Sequence, residues 1–332
     1  MVQKIEYIDT LGKGYFYIDT RTPKEFREDH IPEALNIPIF GNEERALVGT
    51  IYTKIGKEKA FDEGYKIYQK KLKDIKKELL KHKDKTLVIY CWRGGLRSRA
   101  ITELAESMRI RCYQLDCGYK KYRAFVRKTI HEYRHIPKLI VLHGLTGSGK
   151  TEIIRKIKDS IDLEGLAQHR SSVFGAIGKD PRSQKMFESL LLHEMESKKG
   201  KKMLVVEGES RKIGNIIIPK PVFDAMKSGI NIRINCSDKA RVERLKRIYL
   251  ETSPDVLPII KSIDAKLGKK TSVELKDLFC KKDHDGFTSL ILEKYYDPLY
   301  RHSIEELTYE QTISDDDTTH AADKIKRIYG IS

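Results

Sequence analysis

LVIYCWRGGLRSRAITELA (Leu87–Ala105) decides how the first part of the chain is read. Four residues suited to a buried strand, Leu87–Tyr90, run into Cys91. The chain then spends two glycines, two arginines and a serine before a segment whose Ile101, Leu104, Ala105 and Met108 recur at helical spacing. The layout is strand, tight turn, helix. With Cys91 at the carboxyl end of the strand and a helix starting near Arg97 or Ser98, the N–H groups of Trp92–Arg97 can curl around one point, and the helix dipole adds positive potential there. Gly94 and Gly95 let that backbone close without Cβ clashes, and Arg93 and Arg97 add formal charge. Trp92, Arg93, Gly94, Gly95, Leu96 and Arg97 are therefore expected to form an anion-holding loop around a nucleophilic Cys91. A thiol of ordinary pKa near ~8.5 should be depressed in that setting. The plainer alternatives are an inert cysteine at a strand end and, for Trp92, the single tryptophan of the chain, a packing role.

About fifty residues on, the plan returns with different chemistry in LIVLHGLTGSGKTEIIRKI (Leu139–Ile157). Gly144–Thr151 fits G-x-x-x-x-G-K-[ST] completely and stands between a strand and a helix, the context that the motif requires. A helix carrying Ile153, Ile154, Ile157 and Ile161 on one face is expected to follow. Gly144, Thr146, Gly147, Ser148, Gly149 and Lys150 should cradle a diphosphate, while the Thr151 hydroxyl would ligate Mg²⁺. Glu207, directly after the apolar run Met203–Val206, stands where a second metal-side carboxylate belongs; its plainer reading is a surface acid at a strand end. Such a loop implies polyphosphate binding. It implies neither a nucleotide nor phosphoryl transfer.

The other segments arrange themselves around these two loops. Tyr15–Pro38, YFYIDTRTPKEFREDHIPEALNIP, holds a short strand ending near Asp19 and Arg21, a helix start at Thr22-Pro23 and a second extended piece. Tyr65–Lys85 is a lysine-rich helix with Tyr68, Leu72, Ile75 and Leu79 as its apolar stripe. Met203–Glu207 and Ile230–Cys236 read as strands, the latter followed by a helix capped by Ser237 or Asp238. Strands alternating with helices predict an α/β fold with parallel sheets in both halves. Residues 1–128 form the expected first domain, 129–138 a linker, and 139–332 a P-loop domain with a C-terminal helical extension.

The 332 residues carry 64 lysines and arginines against 48 acids, a net charge of +16. The excess is local: residues 51–150 hold 25 basic against 10 acidic side chains, and residues 201–250 hold 12 against 5. Concentrated positive charge fits a polyanion partner, nucleic acid first, with a solubilising lysine surface as the alternative. Lysines of the Tyr65–Lys85 helix, with Arg123, Arg127, Arg134, Arg241, Arg244 and Arg247, are candidate phosphate contacts. No apolar run approaches the length that spans a bilayer, no basic-then-apolar leader opens the sequence, and the five cysteines show no CxxC spacing. A cytoplasmic protein with reduced thiols is the expectation, with no membrane partner.

YIDTRTPKEFREDHIPEALNIP, the Cys91 loop and LDCGYKKYRAF (Leu115–Phe125) resemble, in that order, the three signatures of a rhodanese domain. A rhodanese domain followed by a P-loop domain, with its cysteine in the form CWRGGLRS, resembles the tRNA 2-selenouridine synthase family. DLEGLAQHRSSVFG (Asp162–Gly175) and VVEGESRKIGN (Val205–Asn215) are similar to that family's second-domain signatures, so the likeness runs from about Tyr15 to about Asn215. It implies an N-terminal rhodanese-like domain joined to a P-loop NTPase-like parallel-sheet domain. It also implies a transferase acting on tRNA, in which selenium from selenophosphate replaces sulfur at C2 of the wobble 2-thiouridine. The resemblance further implies that geranyl diphosphate supplies an S-geranyl intermediate. By that resemblance Gly144–Thr151 would hold the diphosphate of the geranyl donor, Cys91 would handle selenium delivery, and Arg170 and Arg211 would belong to the active site. An enzyme producing selenophosphate is an implied partner.

Two departures stand out. Cys117 occupies a position where the family pattern has glycine, bringing a second thiol toward Cys91; it would resolve a Cys91 adduct or, more simply, pack. Gly208 stands where the family tends to carry an acid. Three alternatives stay open from the residues. Cys91-x5-Arg97 matches protein phosphatases, although CWRGGLR holds no acid to protonate a leaving group. A rhodanese-type sulfurtransferase beside a P-loop kinase-like domain is the second, and an RNA-binding scaffold with vestigial loops the third.

Overall fold

A computed structural model describes residues 2–170, 175, 178–250, 261 and 267–332. Ser171–Phe174 of the signature at 162–175, and Glu251 at the end of the helix expected after Ser237, lie outside them. The chain divides into two compact units: Met1–Ile130 with Glu188–Leu190, and His131–Phe187 with Leu191–Ser332.

The first unit is a parallel sheet with helices on it. Its elements are β1 (Lys4–Ile5), β2 (Phe16–Asp19), α1 (Pro23–Glu28), β3 (Leu35–Asn36), α2 (Asn42–Lys54), α3 (Lys57–Leu80), β4 (Leu87–Tyr90), α4 (Leu96–Ser107), β5 (Cys112–Leu115) and α5 (Gly118–His131). The sheet order is β1-β5-β4-β2-β3, with every pair parallel. β4 lies in the middle and all four of its residues are buried, as expected of a parallel strand covered on both faces. Ile18, Ile75, Leu79, Leu87, Ile89, Ile101 and Ala105 form the core beneath it. The lysine-rich helix starts earlier than Tyr65, at Lys57, and ends at Leu80; it follows α2, in which Leu47, Val48 and Ile51 recur at helical spacing. Of the expected linker 129–138, residues up to His131 belong to α5, where Ile130 is buried, and β6 starts at Lys138.

The second unit contains β6 (Lys138–His143), α6 (Lys150–Ile154), β7 (Ser160–Ile161), α7 (Leu163–Ala167), α8 (Gln184–Ser197) apart from its Glu188–Leu190, β8 (Met203–Glu207), the antiparallel pair β9 (Lys212–Ile213) and β10 (Ile216–Ile217), α9 (Lys220–Lys227), β11 (Ile230–Asn235) and α10 (Asp238–Leu250). After these come α11 (Lys269–Cys280), α12 (His284–Ile291), a π-helical turn at Leu292–Tyr296, α13 (Asp297–Glu305), β12 (Gln311–Ser314) and α14 (Thr318–Tyr329). The sheet order is β12-β11-β6-β8-β7, all parallel. From β6 the chain passes to β7 and β8 on one side and then crosses to β11 on the other, so the loop after β6 lies at a topological switch point, where open α/β sheets bind ligands. The four-isoleucine helix face is corrected. α6 ends at Ile154, Ile157 is buried beyond it, and Ile161 is a β7 residue. A separate apolar cluster of Leu245, Leu275, Phe287, Ile291, Tyr295 and Tyr296 packs α10 against the C-terminal helices. Among the described residues no helix is long and apolar enough to cross a membrane.

Candidate active sites

Cys91 ends β4 and is 3% exposed. Its sulfur receives the Gly95 N–H at 3.2 Å, and the Ser98 hydroxyl lies at 3.2 Å. Gln114 on β5 donates to that hydroxyl at 2.8 Å and to the carbonyls of Gly94 and Gly95. The Tyr119 and Lys120 amides take the carbonyls of Cys91 and Trp92. The loop's carbonyls are thus bound from β5 and α5, and the N-terminus of α4 faces the sulfur. Of the amides expected to ring Cys91, Gly95 is the one that donates to it, and Ser98 and Gln114 were not anticipated. Gly94 has φ +63°, and a Cβ there would stand 2.9 Å from the Leu115 carbonyl. A Cβ at Gly95 would meet nothing within 4 Å, so space stays open above the loop.

The charged residues of this loop divide. Arg93 is exposed, whereas Arg97 is largely covered and donates to Glu25 Oε2 at 3.0 Å. The same oxygen accepts the Thr22 amide in the capping box of α1. Burial pushes the Glu25 carboxyl upward, but Arg97 and the Thr22 amide outweigh it and hold the group below its ordinary range. Asp19 and Arg21 are fully buried and pair with each other; the Arg21 guanidinium lies 3.8 Å over the Tyr119 ring, against which Trp92 packs at 5.2 Å. Their role is to set the wall behind Trp92. Cys117 is exposed, with φ +55°, and its sulfur sits 3.4 Å from Asp116 Oδ2. The expectation that it packs inward is corrected, and its left-handed backbone is the reason a glycine suits that position.

In the second unit the loop after β6 has the expected form. Gly147 and Gly149 adopt φ +82° and +93°. Lys150 Nζ bonds the Gly144 carbonyl at 2.7 Å, and Ser148 Oγ is buried without a partner. The Thr151 hydroxyl donates to Glu164 Oε2 at 3.0 Å. Glu207 is completely buried and not at the surface; Oε2 accepts the Leu163 amide at 3.0 Å, and Oε1 has no partner. Burial, then the charges of Asp162 and Glu164, push the Glu207 carboxyl well above its ordinary value. Glu164 is likewise raised by burial, against the pull of Lys150. Among the described residues no group of three or more His, Cys, Asp or Glu is arranged to hold a metal ion.

Arg241 and Arg244 are corrected. Sequence reasoning offered them to nucleic-acid phosphates, but each is 5% exposed and turned inward. Arg241 Nε donates to the Thr146 carbonyl at 2.9 Å while its fork grips Asp297; Arg244 donates to the Gly147 carbonyl at 3.1 Å and to the Asp316 carbonyl. Spacing alone could not separate these inward arginines from Arg247, which is exposed.

The two signature stretches meet. A Cβ at Gly214, beside β9, would lie 2.8 Å from the His169 ring, and Leu163 is tied to Glu207. Arg170 is half-buried within electrostatic reach of Lys179 and His169. Arg211 is exposed at the start of the hairpin, its carbonyl accepting the Ile218 amide. Gly208 also finds its reason: a Cβ would stand 2.4 Å from Nδ1 of His143, whose Nε2 lies 3.0 Å from Asn231 Oδ1.

A thiol loop on one parallel-sheet unit and a P-loop on another define a rhodanese–P-loop fusion. A rhodanese-like domain model matches residues 6–125, and the model of the tRNA 2-selenouridine synthase AAA domain matches residues 137–257. The tRNA 2-selenouridine synthase of Shewanella frigidimarina is 31% identical over 92% of this chain and 93% of its own; that of Nitrosomonas europaea is 35% identical over 71% and 64%. The crystallised N-terminal domain of a Clostridium difficile 630 protein is 41% identical over 37% of this chain and 98% of its own, with a TM-score of 0.36. The chain belongs to the tRNA 2-selenouridine synthase family.

Proposed function

We propose that the protein is a tRNA-modifying transferase that converts wobble 2-thiouridine to 2-selenouridine through an S-geranyl intermediate. The observation that carries this reading is the Cys91 sulfur held by Gly95 and Ser98 in a chain that also bears a complete P-loop. The amides of Thr146–Lys150 and the Lys150 ammonium bind the diphosphate of geranyl diphosphate. The thiocarbonyl sulfur attacks C1 of the geranyl group, the C–O bond breaks, and the diphosphate stays on the loop, which acts as a leaving-group cradle. Alkylation matters because an S-alkyl sulfur leaves C2 more readily than a bare thiocarbonyl.

Cys91 serves the second step, with selenophosphate as donor, and the helix N-terminus and Arg93 favour an anion beside it. Arg97 is committed to Glu25, and the loop holds no acid to protonate a leaving alcohol, which favours chalcogen transfer over phosphatase chemistry. The partnerless Glu207 oxygen with Thr151 and Glu164 suits a hard cation. These residues would hold Mg²⁺, which would supply charge neutralisation of the departing diphosphate. Lys179 lies within electrostatic reach of Glu164 and Arg170; Arg170 and Arg211 are assigned to the active site by the family resemblance, and a separate enzyme supplies the selenophosphate. The test is mass spectrometry of nucleosides from tRNA incubated first with geranyl diphosphate and then with selenophosphate. S-geranyl-2-thiouridine should appear and then give way to 2-selenouridine; tRNA left unchanged by both additions would remove the reading.

A further inference from the structure

α3 buries one face and gives the other to lysine. Ala60, Gly64, Ile67, Ile75 and Leu79 are buried, and Ile67, Ile75 and Leu79 join the core of the first unit. Opposite them Lys66, Lys70, Lys73 and Lys77 recur at i, i+4, i+7 and i+11, the spacing that sets side chains in one row along a helix. All four are exposed. Residues 66–77 hold six lysines against one acid, Asp74.

This row is not neutralised from within the protein. Lys70, Lys73 and Lys77 form no hydrogen bond or ion pair with any described residue, and neither does Asp74. Lys66 lies 3.6 Å from Glu63 in a pair that stays open to water; such surface pairs hold little energy and yield to a better anion. Lys71, off the row, is held instead by Glu44 of α2. Like charges three and four residues apart repel, so the row costs the helix stability. A helix that needed only solubility could intersperse acids, as the following turn does with Glu78 and Lys81.

The surroundings narrow the partner. The apolar stripe of α3 is spent on the core, so the helix cannot lie in a bilayer interface as a free amphipathic helix does. At the N-terminal end of the row Phe61 and Tyr65 stand 55% and 50% exposed, their rings parallel to within 9° and 6.2 Å apart between centroids. Flat rings left in solvent next to lysines suit bases and backbone phosphates together. We propose that this face of α3 docks the tRNA backbone, with Lys66, Lys70, Lys73 and Lys77 on its phosphates; the proposal rests on the tRNA reading above. Lysine is a point charge on a flexible stem, so the row positions the RNA without reading its sequence. It belongs to neither loop.

The test is fluorescence anisotropy of a labelled tRNA on the full-length protein, titrated across salt. Wild type is compared with Lys66→Gln/Lys70→Gln/Lys73→Gln/Lys77→Gln and with Lys269→Gln/Lys270→Gln/Lys281→Gln/Lys282→Gln, which removes the same charge from exposed positions at the two ends of α11. Relieved of its repulsion, α3 should keep the wild-type melting temperature or exceed it. The row variant should bind about tenfold or more weakly at low salt, with a log–log salt slope shallower by about 0.7–0.9 for each phosphate no longer neutralised, while the control moves little. Equal losses in the two variants reduce the effect to net charge and overturn the proposal, as does unchanged affinity or slope in the row variant; the tRNA reading stands in each case. A wild-type protein that does not bind tRNA overturns both. Row-dependent binding to vesicles containing phosphatidylserine, with tRNA affinity unmoved, makes the occupant a membrane surface and also overturns the proposal.

Discussion

Arg244 donates a hydrogen bond to the carbonyl oxygen of Gly147 at 3.1 Å. In a phosphate loop the amides face the ligand, so the carbonyls must be held from behind, and here α10 does it. Arg241 takes the neighbouring Thr146 carbonyl and is itself gripped by Asp297 of α13. Leu245 and the Arg241 backbone crowd Gly147 so closely that a Cβ there would sit 2.7 Å from Leu245 Cδ1. The C-terminal helices therefore act on the diphosphate site through two guanidiniums.

Arg244→Gln should loosen the cradle without removing a ligand contact. Loss of a buried, charge-assisted hydrogen bond is worth about 1.5–3 kcal/mol, so affinity for inorganic pyrophosphate, read by calorimetry, should fall about tenfold or more. Asp297→Asn should give a smaller loss in the same direction, and in an Arg241→Gln background it should add little, because Asp297 works through Arg241. Pyrophosphate affinity indifferent to Arg244 would end the idea.

Glu207 should make stability depend on pH with an unusual sign. Its folded-state carboxyl is raised well above the ordinary value, so the folded chain keeps a proton that the unfolded chain gives up. Stability contributed in this way is complete below the ordinary carboxyl range and is lost as pH rises toward the folded value, by at most about 1.4 kcal/mol per pH unit. Glu207→Gln has no proton to lose, and its amide oxygen can still accept from Leu163. Without diphosphate or divalent cations, the variant should melt higher than wild type at pH 8 and by a smaller margin at pH 5, while losing transferase activity. An advantage that shrinks as pH rises would contradict the assignment.

The two loops were legible because each is local: a strand, a glycine-bearing turn and a helix start lie within twenty residues, and backbone geometry follows from their order. β8 coincides with the Met203–Glu207 run for the same reason. What escaped is what comes from elsewhere in the chain. Glu25 reaches Arg97 across 72 positions and Gln114 reaches Ser98 across 16. α2 escaped as well, although Leu47, Val48 and Ile51 recur at helical spacing along it. Arg241 and Arg244 resembled nucleic-acid contacts because composition records charge and not direction.

Cys91→Ala should abolish selenium incorporation and leave geranylation near the wild-type rate, since the P-loop is untouched. Ser98→Ala is the finer probe. It removes one of two donors to the sulfur, while Gln114 keeps the Gly94 and Gly95 carbonyls as acceptors; a hydrogen bond to a charged group contributes about 1.5–3 kcal/mol. Single-turnover conversion of S-geranyl tRNA to selenouridine should slow by about tenfold or more, with the geranylation rate unchanged. Equal slowing of both steps would show a general folding defect.

Gly208 and His143 should behave as a coupled pair. The imidazole is pinned between Asn231, at 3.0 Å, and the Tyr309 ring, edge-on at 5.9 Å, so it cannot swing away from a new side chain. Burial lowers its pKa and keeps it in the neutral form, so an aspartate at 208 would gain no ion pair near neutral pH. Gly208→Asp should therefore destabilise by overpacking, about 1–3 kcal/mol, seen as a melting temperature lower by about 2–10 °C. His143→Ala alone costs the Asn231 bond and some packing. In the double variant the alanine opens the space that the aspartate needs, so the combined loss should be clearly smaller than the sum of the two. Additive losses would mean that the imidazole is not what excludes a side chain from position 208.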